Sequence, residues 1–422
     1  MSDLALLGGK PMFTAALETY PRPLGDELDE LRRVLDSGRW NVCYGPGAAE
    51  RLEEEVCRFT GSRHAVAVNT GGMALQMALR ALGVVPGDEV LVQVDTCTAD
   101  ANAIMNAQAA PVFVDSDRET FGLDRTSLEA WITPRSKVLV PVHMWGRPDD
   151  MDSAADIGRR HRLIILEDAC LALGAQWRGT HAGRLGVVGC FSFGCMKSLQ
   201  AGEGGMIVTD DDALCSELRM LRSWGDTCDA RGARDQRELA WNGRPSQFVC
   251  AVALAQLRRF PGYLARLAEG AARLDRLIEG ISGARALPRD PRITREAFTK
   301  YRFRLDEAAL GCSCDAVAAA LEAEGIPSIW HVAFEPANTL SLWRSGRWRT
   351  WITRHADPGF LARNYAHTFG NALFSFNHGG MTISRDVLAG PEQVQRLVAD
   401  TIAKVCERGA ELADWERRQL GA

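Results

Sequence analysis

The sequence predicts an α/β fold with a mainly parallel sheet that is buried on both faces. From about residue 50, short runs rich in Val, Ile and Leu alternate with segments of helix length, which is typical of parallel strands covered by helices. A length of 422 residues allows one large and one smaller domain, each with its own core. The apolar fraction of 46% and the charged fraction of 24% are those of an ordinary globular protein.

The candidate strands are short apolar runs, separated for the most part by helical stretches such as GGMALQMALRALG (71–83) and SAADIGRRHR (153–162). A short Gly-rich connection joins the last two strands, so these two could instead pair in opposite directions. In chain order the runs are AVAVN (65–69), EVLVQ (89–93), PVFVD (111–115), KVLVPVH (137–143), RLIILED (162–168), CFSF (190–193) and GMIVTD (205–210).

The pattern changes after residue 210. Residues 213–245 are rich in Arg and Asp and predict an exposed or interface loop, followed by two long helices, 246–260 and 263–281. Further on, the strand KYRFRLD and the helices DAVAAALEAEGI and PEQVQRLVADTIAKVCE indicate a smaller α+β domain. We therefore place a large domain at residues 1–262 and a small C-terminal domain at 263–422.

Charge and cysteine spacing exclude several classes of protein. A net charge of -5 without a dense arginine patch argues against a nucleic-acid partner. No run reaches the ~18 apolar residues of a membrane span, and the N-terminus lacks a secretory pattern, so we expect a cytoplasmic protein. The twelve cysteines contain no C-x-x-C pair, only Cys312-Ser-Cys314. We expect reduced, mostly buried cysteines and no metal site.

Two strand ends carry groups that suit a charged ligand, and ligands of open α/β sheets bind at the carboxyl ends of the strands. Thr70, Gly71 and Gly72 follow a strand and open a helix, which indicates a phosphate site, although an ordinary turn with Thr70 as N-cap has the same pattern. Asp168 closes an apolar run, where a carboxylate is costly unless it meets a cation. Its neighbour Glu167 would point the opposite way, and a helix cap is the alternative role for such an acid.

Lysine is scarce in this chain, which uses arginine almost everywhere, with lysines at positions 10, 137, 197, 300 and 404. Lys197 follows Ser192 and a strand and lies among small residues, a setting in which an amine can act as a nucleophile. A solvated loop lysine is the alternative. Asn242 and Arg244 stand between the charged loop and a long helix, and by themselves they indicate only a helix-entry turn.

Together these groups predict a site for pyridoxal 5'-phosphate. A lysine amine can bind the cofactor aldehyde covalently, a buried aspartate can keep the pyridine nitrogen protonated, and free backbone N–H groups can hold the phosphate.

The chain resembles the pyridoxal-phosphate aminotransferases of the DegT/DnrJ/EryC1/StrS family, which act on sugars and cyclitols. The resemblance lies in stretches that recur in the same order from about residue 45 to 257: GDEVLV, PVFVDSD, PVHMWGRPDDMD, LEDACLALGA, FSFGCMKSLQAGEGGMIVTDD and WNGRPSQFVCAVALAQL. It implies the fold-type-I aminotransferase architecture, with a seven-stranded, mainly parallel sheet and a smaller α+β C-terminal domain. It also implies a homodimer whose active sites use both subunits.

The resemblance assigns roles residue by residue. Lys197 matches the lysine that binds the cofactor, and Asp168 matches the partner of the pyridine nitrogen. Ser192 and the turn of Thr70 and Gly71 match the phosphate ligands. Asn242 matches an asparagine that reaches the phosphate from the neighbouring subunit. His143 matches a Val-His pattern in which a structural role is at least as well supported as a catalytic one.

This chain departs from the family pattern at four positions. Cys97 stands in place of the aromatic residue that stacks on the cofactor ring, and Leu171 in place of a glutamine. Gly194 falls where a polar residue is common before the lysine, and Gly72 replaces the second hydroxyl residue of the phosphate turn. The result is a roomier pocket, with ring stacking weaker by about 1 kcal/mol.

The predicted function is amino transfer from glutamate or glutamine to a keto-sugar or keto-cyclitol in a secondary-metabolite pathway, with the closest resemblance to the cyclitol branch. One alternative keeps the cofactor and changes the reaction to that of a lyase, dehydratase or epimerase. A retained Lys197 argues against the sugar 3-dehydratases, which carry histidine there. The other alternative is a non-catalytic regulatory protein that binds the cofactor.

Overall fold

The computed structural model describes residues 3–18, 24–228, 234–352 and 355–420. Strands and helices alternate through its first half. The strands are β1 (His64–Val68), β2 (Glu89–Gln93), β3 (Ala110–Val114), β4 (Ser136–Val140), β5 (Ile164–Asp168), β6 (Gln176–Trp177), β7 (Thr180–His181), β8 (Val188–Ser192), β9 (Gly205–Thr209), β10 (Asp226–Cys228), β11 (Arg234–Gln236), β12 (Ala284–Ala286), β13 (Ile293–Arg295), β14 (Lys300–Leu305), β15 (Trp330–His331) and β16 (Met381–Ser384). The helices are α1 (Asp26–Ser37), α2 (Ala48–Thr60), α3 (Gly71–Ala81), α4 (Thr98–Asn106), α5 (Arg125–Trp131), α6 (Met151–His161), α7 (Asp212–Leu221), α8 (Gln247–Ile278), α9 (Glu307–Leu310), α10 (Cys314–Ala323), α11 (Ser341–Arg344), α12 (Pro358–Ala366), α13 (Gly370–His378), α14 (Arg385–Ala389), α15 (Glu392–Cys406) and α16 (Gly409–Leu420).

The large sheet contains every strand predicted between residues 65 and 210, in the order β1-β9-β8-β5-β4-β2-β3. The pairs from β8 to β3 are parallel, and β9 runs antiparallel between β1 and β8, so the opposite pairing of the last two strands is confirmed. Because β9 alone is inverted, the carboxyl ends of β1, β2, β4, β5 and β8 lie at one edge. The predicted site residues follow these ends.

Side chains of the sheet alternate between two hydrophobic clusters, as the twofold period of a strand requires. In β1, Ala65 and Ala67 enter the cluster that includes α8, whereas Val66 and Val68 enter the cluster that includes α3. All of these residues are buried. This confirms the sheet covered on both faces that the continuous apolar runs predicted.

A smaller antiparallel sheet, ordered β12-β14-β16-β15, forms the C-terminal α+β region with helices α10, α15 and α16. The predicted strand and both predicted helices are present, and α16 follows them. Helix α12 covers β3, the outer strand of the large sheet. There the Asn364 side chain accepts from Phe113 N at 2.9 Å and donates to Phe113 O at 2.8 Å, which pairs the open edge of β3.

Two predictions about residues 213–281 were wrong. The expected loop begins with the helix α7 and continues with the hairpin of β10 and β11. The two expected helices are one helix, α8, that contains Pro261. Pro261 lies on the exposed face of α8, and burial of the opposite face stabilises the helix despite the hydrogen bond that proline removes. The domain boundary after residue 262 falls within α8 and stays a prediction.

Within the described residues, every helix is too short or too polar to span a bilayer. The cysteines whose side chains are described are free thiols, and several are buried: Cys190, Cys215, Cys250, Cys312, Cys314 and Cys406.

Candidate active site

The turn after β1 has the geometry of a phosphate cradle. The Thr70 side chain accepts from Met73 N at 3.0 Å and caps α3. The N–H groups of Gly71 and Gly72 are then left without partners inside the helix, at its positive end. Gly71 packs against Ser192, since a Cβ atom at residue 71 would stand 2.6 Å from Ser192 Cβ and 3.0 Å from Ser192 Oγ. Two N–H groups and one hydroxyl therefore lie together.

Gly205 allows this turn to pass over the sheet. It pairs with Val68 of β1 on one side and with Ser192 of β8 on the other. A Cβ atom at residue 205 would lie 2.5 Å from the carbonyl oxygen of Thr70, so any larger residue would displace the turn. The last glycine of the Gly-rich stretch therefore has a steric role in the site.

Lys197 lies in the connection between β8 and β9, immediately beyond Ser192. A short turn holds it, in which Lys197 N donates to Gly194 O at 3.1 Å and Gly194 N donates to Ser192 Oγ at 3.2 Å. The side chain is half-buried. Its amino group forms no hydrogen bond or ion pair with the part of the chain that the structure describes. The amine is therefore available to a ligand.

Asp168 ends β5 at the same edge and is 6% exposed. Its Oδ1 accepts from Cys170 N at 2.9 Å, and it forms no ion pair with described residues. Glu167 points to the other face of the sheet, where its carboxylate accepts from three backbone N–H groups, those of Gly183, Leu185 and Gly186. The acid at the site is thus Asp168, and its charge is left for a ligand.

His143 has a structural role in this geometry. It is fully buried, its Nδ1 accepts from Asp149 N at 3.1 Å, and its Nε2 lies 2.9 Å from Glu167 Oε2. A ring whose Nδ1 accepts a hydrogen bond donates from Nε2, so both nitrogens are used inside the protein. This favours the structural alternative of the two left open by the sequence.

The family departures leave space at the site. Cys97 is exposed and immediately precedes α4. Leu171 is buried in the apolar cluster, and its carbonyl accepts from Thr299 Oγ1 at 2.6 Å. A Cβ atom at Gly194 would meet Ser192 Oγ and Glu203 Oε2 only at 3.4 Å. A side chain at residue 194 could therefore begin here without a clash among the described residues.

Asn242 does not join the other site residues through its side chain. It is exposed, and its backbone oxygen accepts from Asn69 Nδ2 at 3.1 Å, which holds the loop at the end of β1. The nearby Arg244 guanidinium lies 4.0 Å above the Trp224 ring. The role of Asn242 in a neighbouring subunit stays a prediction.

Two further groups at the site were not predicted. Asp100, in the first turn of α4, is 2% exposed and receives a hydrogen bond from Thr96 Oγ1 at 2.7 Å. Cys170 lies beside Gly71, and burial raises its pKa well above the usual range, with Asp168 raising it further and Lys197 opposing. The sequence did signal Asp100, as an acid within a stretch of small residues after a strand.

These groups fit pyridoxal 5'-phosphate. Free N–H groups at the start of α3 and the Ser192 hydroxyl suit the phosphate, the unpaired Asp168 carboxylate suits a protonated pyridine nitrogen, and the unpartnered Lys197 amine suits the aldehyde. When bound, the cofactor supplies an electron sink that stabilises negative charge on a substrate carbon.

The chain is similar to characterised proteins over most of its length. It is 38% identical to a GDP-perosamine synthase of Caulobacter vibrioides over 73% of this chain and 82% of that protein. It is 32% identical to an L-glutamine:2-deoxy-scyllo-inosose aminotransferase of Streptoalloteichus tenebrarius over 97% of this chain and 99% of that protein. The crystal structure of 3-amino-5-hydroxybenzoic acid synthase superimposes with a TM-score of 0.81 at 28% identity, over 94% of this chain and 100% of that one.

These similarities match the observed architecture, which is that of the fold-type-I aminotransferases. The model of one aminotransferase family, which depends on pyridoxal phosphate, matches residues 24–350. That range includes Thr70, Asp168, Ser192 and Lys197. The chain is therefore an aminotransferase and belongs to the DegT/DnrJ/EryC1/StrS aminotransferase family.

Proposed function

We propose that this protein transfers an amino group from glutamine or glutamate to a keto-sugar or a keto-cyclitol in a secondary-metabolite pathway. The observation that carries the proposal is the unpartnered Lys197 amine at the same sheet edge as the unpaired Asp168 and the cradle of Thr70, Gly71 and Ser192. The relative from Streptoalloteichus, named for glutamine and a cyclitol ketone, matches almost the whole chain and favours the cyclitol class.

Each residue has a defined role in this proposal. The N–H groups of Gly71 and Gly72 and the Ser192 hydroxyl bind the phosphate, and Asp168 holds a proton at the pyridine nitrogen. Lys197 Nζ would hold the cofactor at rest, and once the amino donor had displaced it, the free amine would be placed to move a proton at the donor carbon.

The pocket departures support an acceptor unlike that of relatives with an aromatic residue over the ring. The exposed Cys97, the apolar Leu171 and the open space at Gly194 remove one flat surface and two polar groups. A site that lacks these groups offers fewer hydrogen bonds near the ring and more room.

We also propose that the enzyme is a cytoplasmic homodimer with shared active sites. Three large apolar side chains are exposed around the loop that carries Asn242: Trp40 at 54%, Trp224 at 44% and Leu239 at 82%. Exposed aromatic and apolar groups clustered in this way are typical of protein interfaces. A partner subunit that covered them would bring its own Asn242 into reach of a second site.

The test has two stages. The purified protein, loaded with pyridoxal phosphate, is given L-glutamine or L-glutamate, and the visible spectrum and the released keto acid are measured. The aminated protein then receives either a cyclitol ketone or a nucleotide-linked keto-sugar, and the product mass is determined.

Release of keto acid followed by an amine product is the expected result. A spectrum that does not respond to any amino donor would contradict the proposal and favour a regulatory protein, and a product that lacks the donor's nitrogen would favour a lyase, dehydratase or epimerase.

A further inference from the structure

A second buried carboxyl group, Asp100, lies at the edge of the sheet beside Asp168. Thr96 Oγ1 donates to Asp100 Oδ2, whereas Asp100 Oδ1 has no hydrogen-bond partner among the described residues, although it is fully buried. Leaving a buried polar atom unpaired is costly. The unpaired Asp100 Oδ1 therefore indicates that Asp100 interacts with a neighbouring group of the site.

The group that faces Asp100 is the Asp168 carboxyl, which is close enough for a hydrogen bond between the two side chains. Burial raises the pKa of Asp100 well above its usual range, the charge of Asp168 raises it further, and Lys197 opposes this. Two carboxylates in contact do not both ionise, because each charge disfavours the other. The pair therefore holds one proton.

Apart from Lys197, the groups around the two carboxyl groups are uncharged. Desolvation raises the pKa of the Cys97 and Cys170 thiols, so both stay neutral at ordinary pH. Lys197 is the cation that acts on Asp100, and the proposed function uses its amine for the cofactor. Once the cofactor is bound to that amine, the shared proton offsets the repulsion between the two carboxyl groups.

We propose that Asp100 is a positioning residue that stays protonated and donates a hydrogen bond to the carboxylate of Asp168. Cys170 N and Asp100 then fix the orientation of the Asp168 carboxylate from two sides. The inference rests on the proposed function only for the identity of the group that Asp168 binds, the pyridine nitrogen. The proton shared by the two side chains is a property of the chain itself.

The consequence is an Asp168 carboxylate that is held in place from two sides, by Cys170 N and by Asp100. A hydrogen bond donated to the charged form of an acid favours that form. Asp100→Asn keeps a donor of the same shape, whereas Asp100→Ala removes it.

The direct test is the infrared absorption of protonated carboxyl groups in the cofactor-free full-length protein. Two other buried acids, Asp95 and Asp149, have pKa values raised by burial to about 7 and about 6, so the spectrum is recorded at about pH 8.5, where both are largely ionised. We expect a carboxylic acid band that is lost in Asp100→Asn. Asp168→Asn should shift that band, because it changes the acceptor of the Asp100 hydrogen bond.

A matched control is Asp95→Asn, which removes another buried acid near the end of β2. Asp95 accepts from Ser116 and is not in contact with Asp168. It should leave the band at about pH 8.5 unchanged. A wild-type spectrum without the band, or a band that survives Asp100→Asn, would overturn the proposal, and so would a band that Asp168→Asn does not move.

Binding of pyridoxal phosphate, measured by absorbance titration, gives a second readout. Asp100→Ala should weaken binding about tenfold, and Asp100→Asn should stay within about threefold of the wild type. Equal weakening in both variants would contradict a donor role. A wild-type protein that failed to bind the cofactor would refute the proposed function, while the infrared experiment would still decide whether the two acids share a proton.

Discussion

Gly71 lies against Ser192 so closely that a Cβ atom at residue 71 would stand 2.6 Å from the serine Cβ. This contact joins the amino end of α3 to the carboxyl end of β8. It thereby fixes the distance between the free N–H groups of the helix and the Ser192 hydroxyl. The phosphate cradle depends on glycine for a steric reason, because the space beside Ser192 has no room for another atom.

We expect Gly71→Ala to weaken cofactor binding about 10- to 100-fold, because the added methyl group must push the turn away from Ser192. The matched control is Gly72→Ala, since a Cβ atom at residue 72 meets nothing within 4 Å. Gly72→Ala should bind the cofactor as the wild type does. Absorbance titration of both variants is the measurement, and equal affinities in the two variants would refute the steric account.

Cys97 occupies the place of an aromatic residue and is exposed. Cys97→Phe should therefore tighten binding of pyridoxal phosphate by about 1 kcal/mol, or about fivefold, through ring stacking. Cys43→Phe, at another exposed cysteine, is the control and should leave the affinity unchanged. No gain in Cys97→Phe would show that residue 97 does not lie over the cofactor ring.

Shared active sites can be tested by mixing two inactive variants. In Lys197→Ala and Asn242→Ala homodimers every site lacks one group, but a mixed dimer with composite sites contains one intact site. Coexpressed, differently tagged chains should recover about a quarter of wild-type activity by random pairing. No recovery in isolated mixed dimers would show that Lys197 and Asn242 act from the same chain, and an active Asn242→Ala homodimer would show that Asn242 is not needed.

Asp95 makes folding stability depend on pH. Burial raises its pKa to about 7 in the folded protein, above the usual value for the unfolded chain, so the native state binds more protons between about pH 4 and 7. Its contribution therefore favours folding at low pH and is lost as the pH rises through about 7. Asp95→Asn should gain about 2 to 4 kcal/mol relative to the wild type between about pH 5 and about pH 8.5. Urea unfolding at both values measures this, and a pH-independent difference would contradict it.

The strands were predictable because each is a short, continuous run of apolar residues, as in AVAVN and EVLVQ, and burial on both faces leaves that pattern in any sequence. Lys197 was predictable because it is one of few lysines and follows a strand. Helix α7 was missed although Leu214, Leu218 and Leu221 are buried with helical spacing, because charged residues dominate the composition of that segment. Composition alone does not show which face is buried.

The contact of Asp100 with Asp168 and the continuity of α8 could not be predicted from the local sequence. Nothing near residue 100 reveals that Asp168 lies beside it, since only the parallel order of β2, β4 and β5 brings the two together. In α8, Pro261 signals a break, but burial of the remaining helix against α1, α2, α14 and α15 outweighs one lost hydrogen bond. Both outcomes depend on contacts between residues far apart in the sequence.

Borohydride reduction followed by peptide mass analysis identifies the residue that binds the cofactor, which we propose to be Lys197. Reduction makes the bond between lysine and cofactor permanent, so the modified peptide identifies the residue. Lys300 is the competing candidate, because burial lowers its pKa to about 8, although its Nζ donates to Ser328 Oγ at 2.7 Å. We predict the added mass on Lys197 alone. Its appearance on Lys300, or its absence from Lys197, would contradict the account.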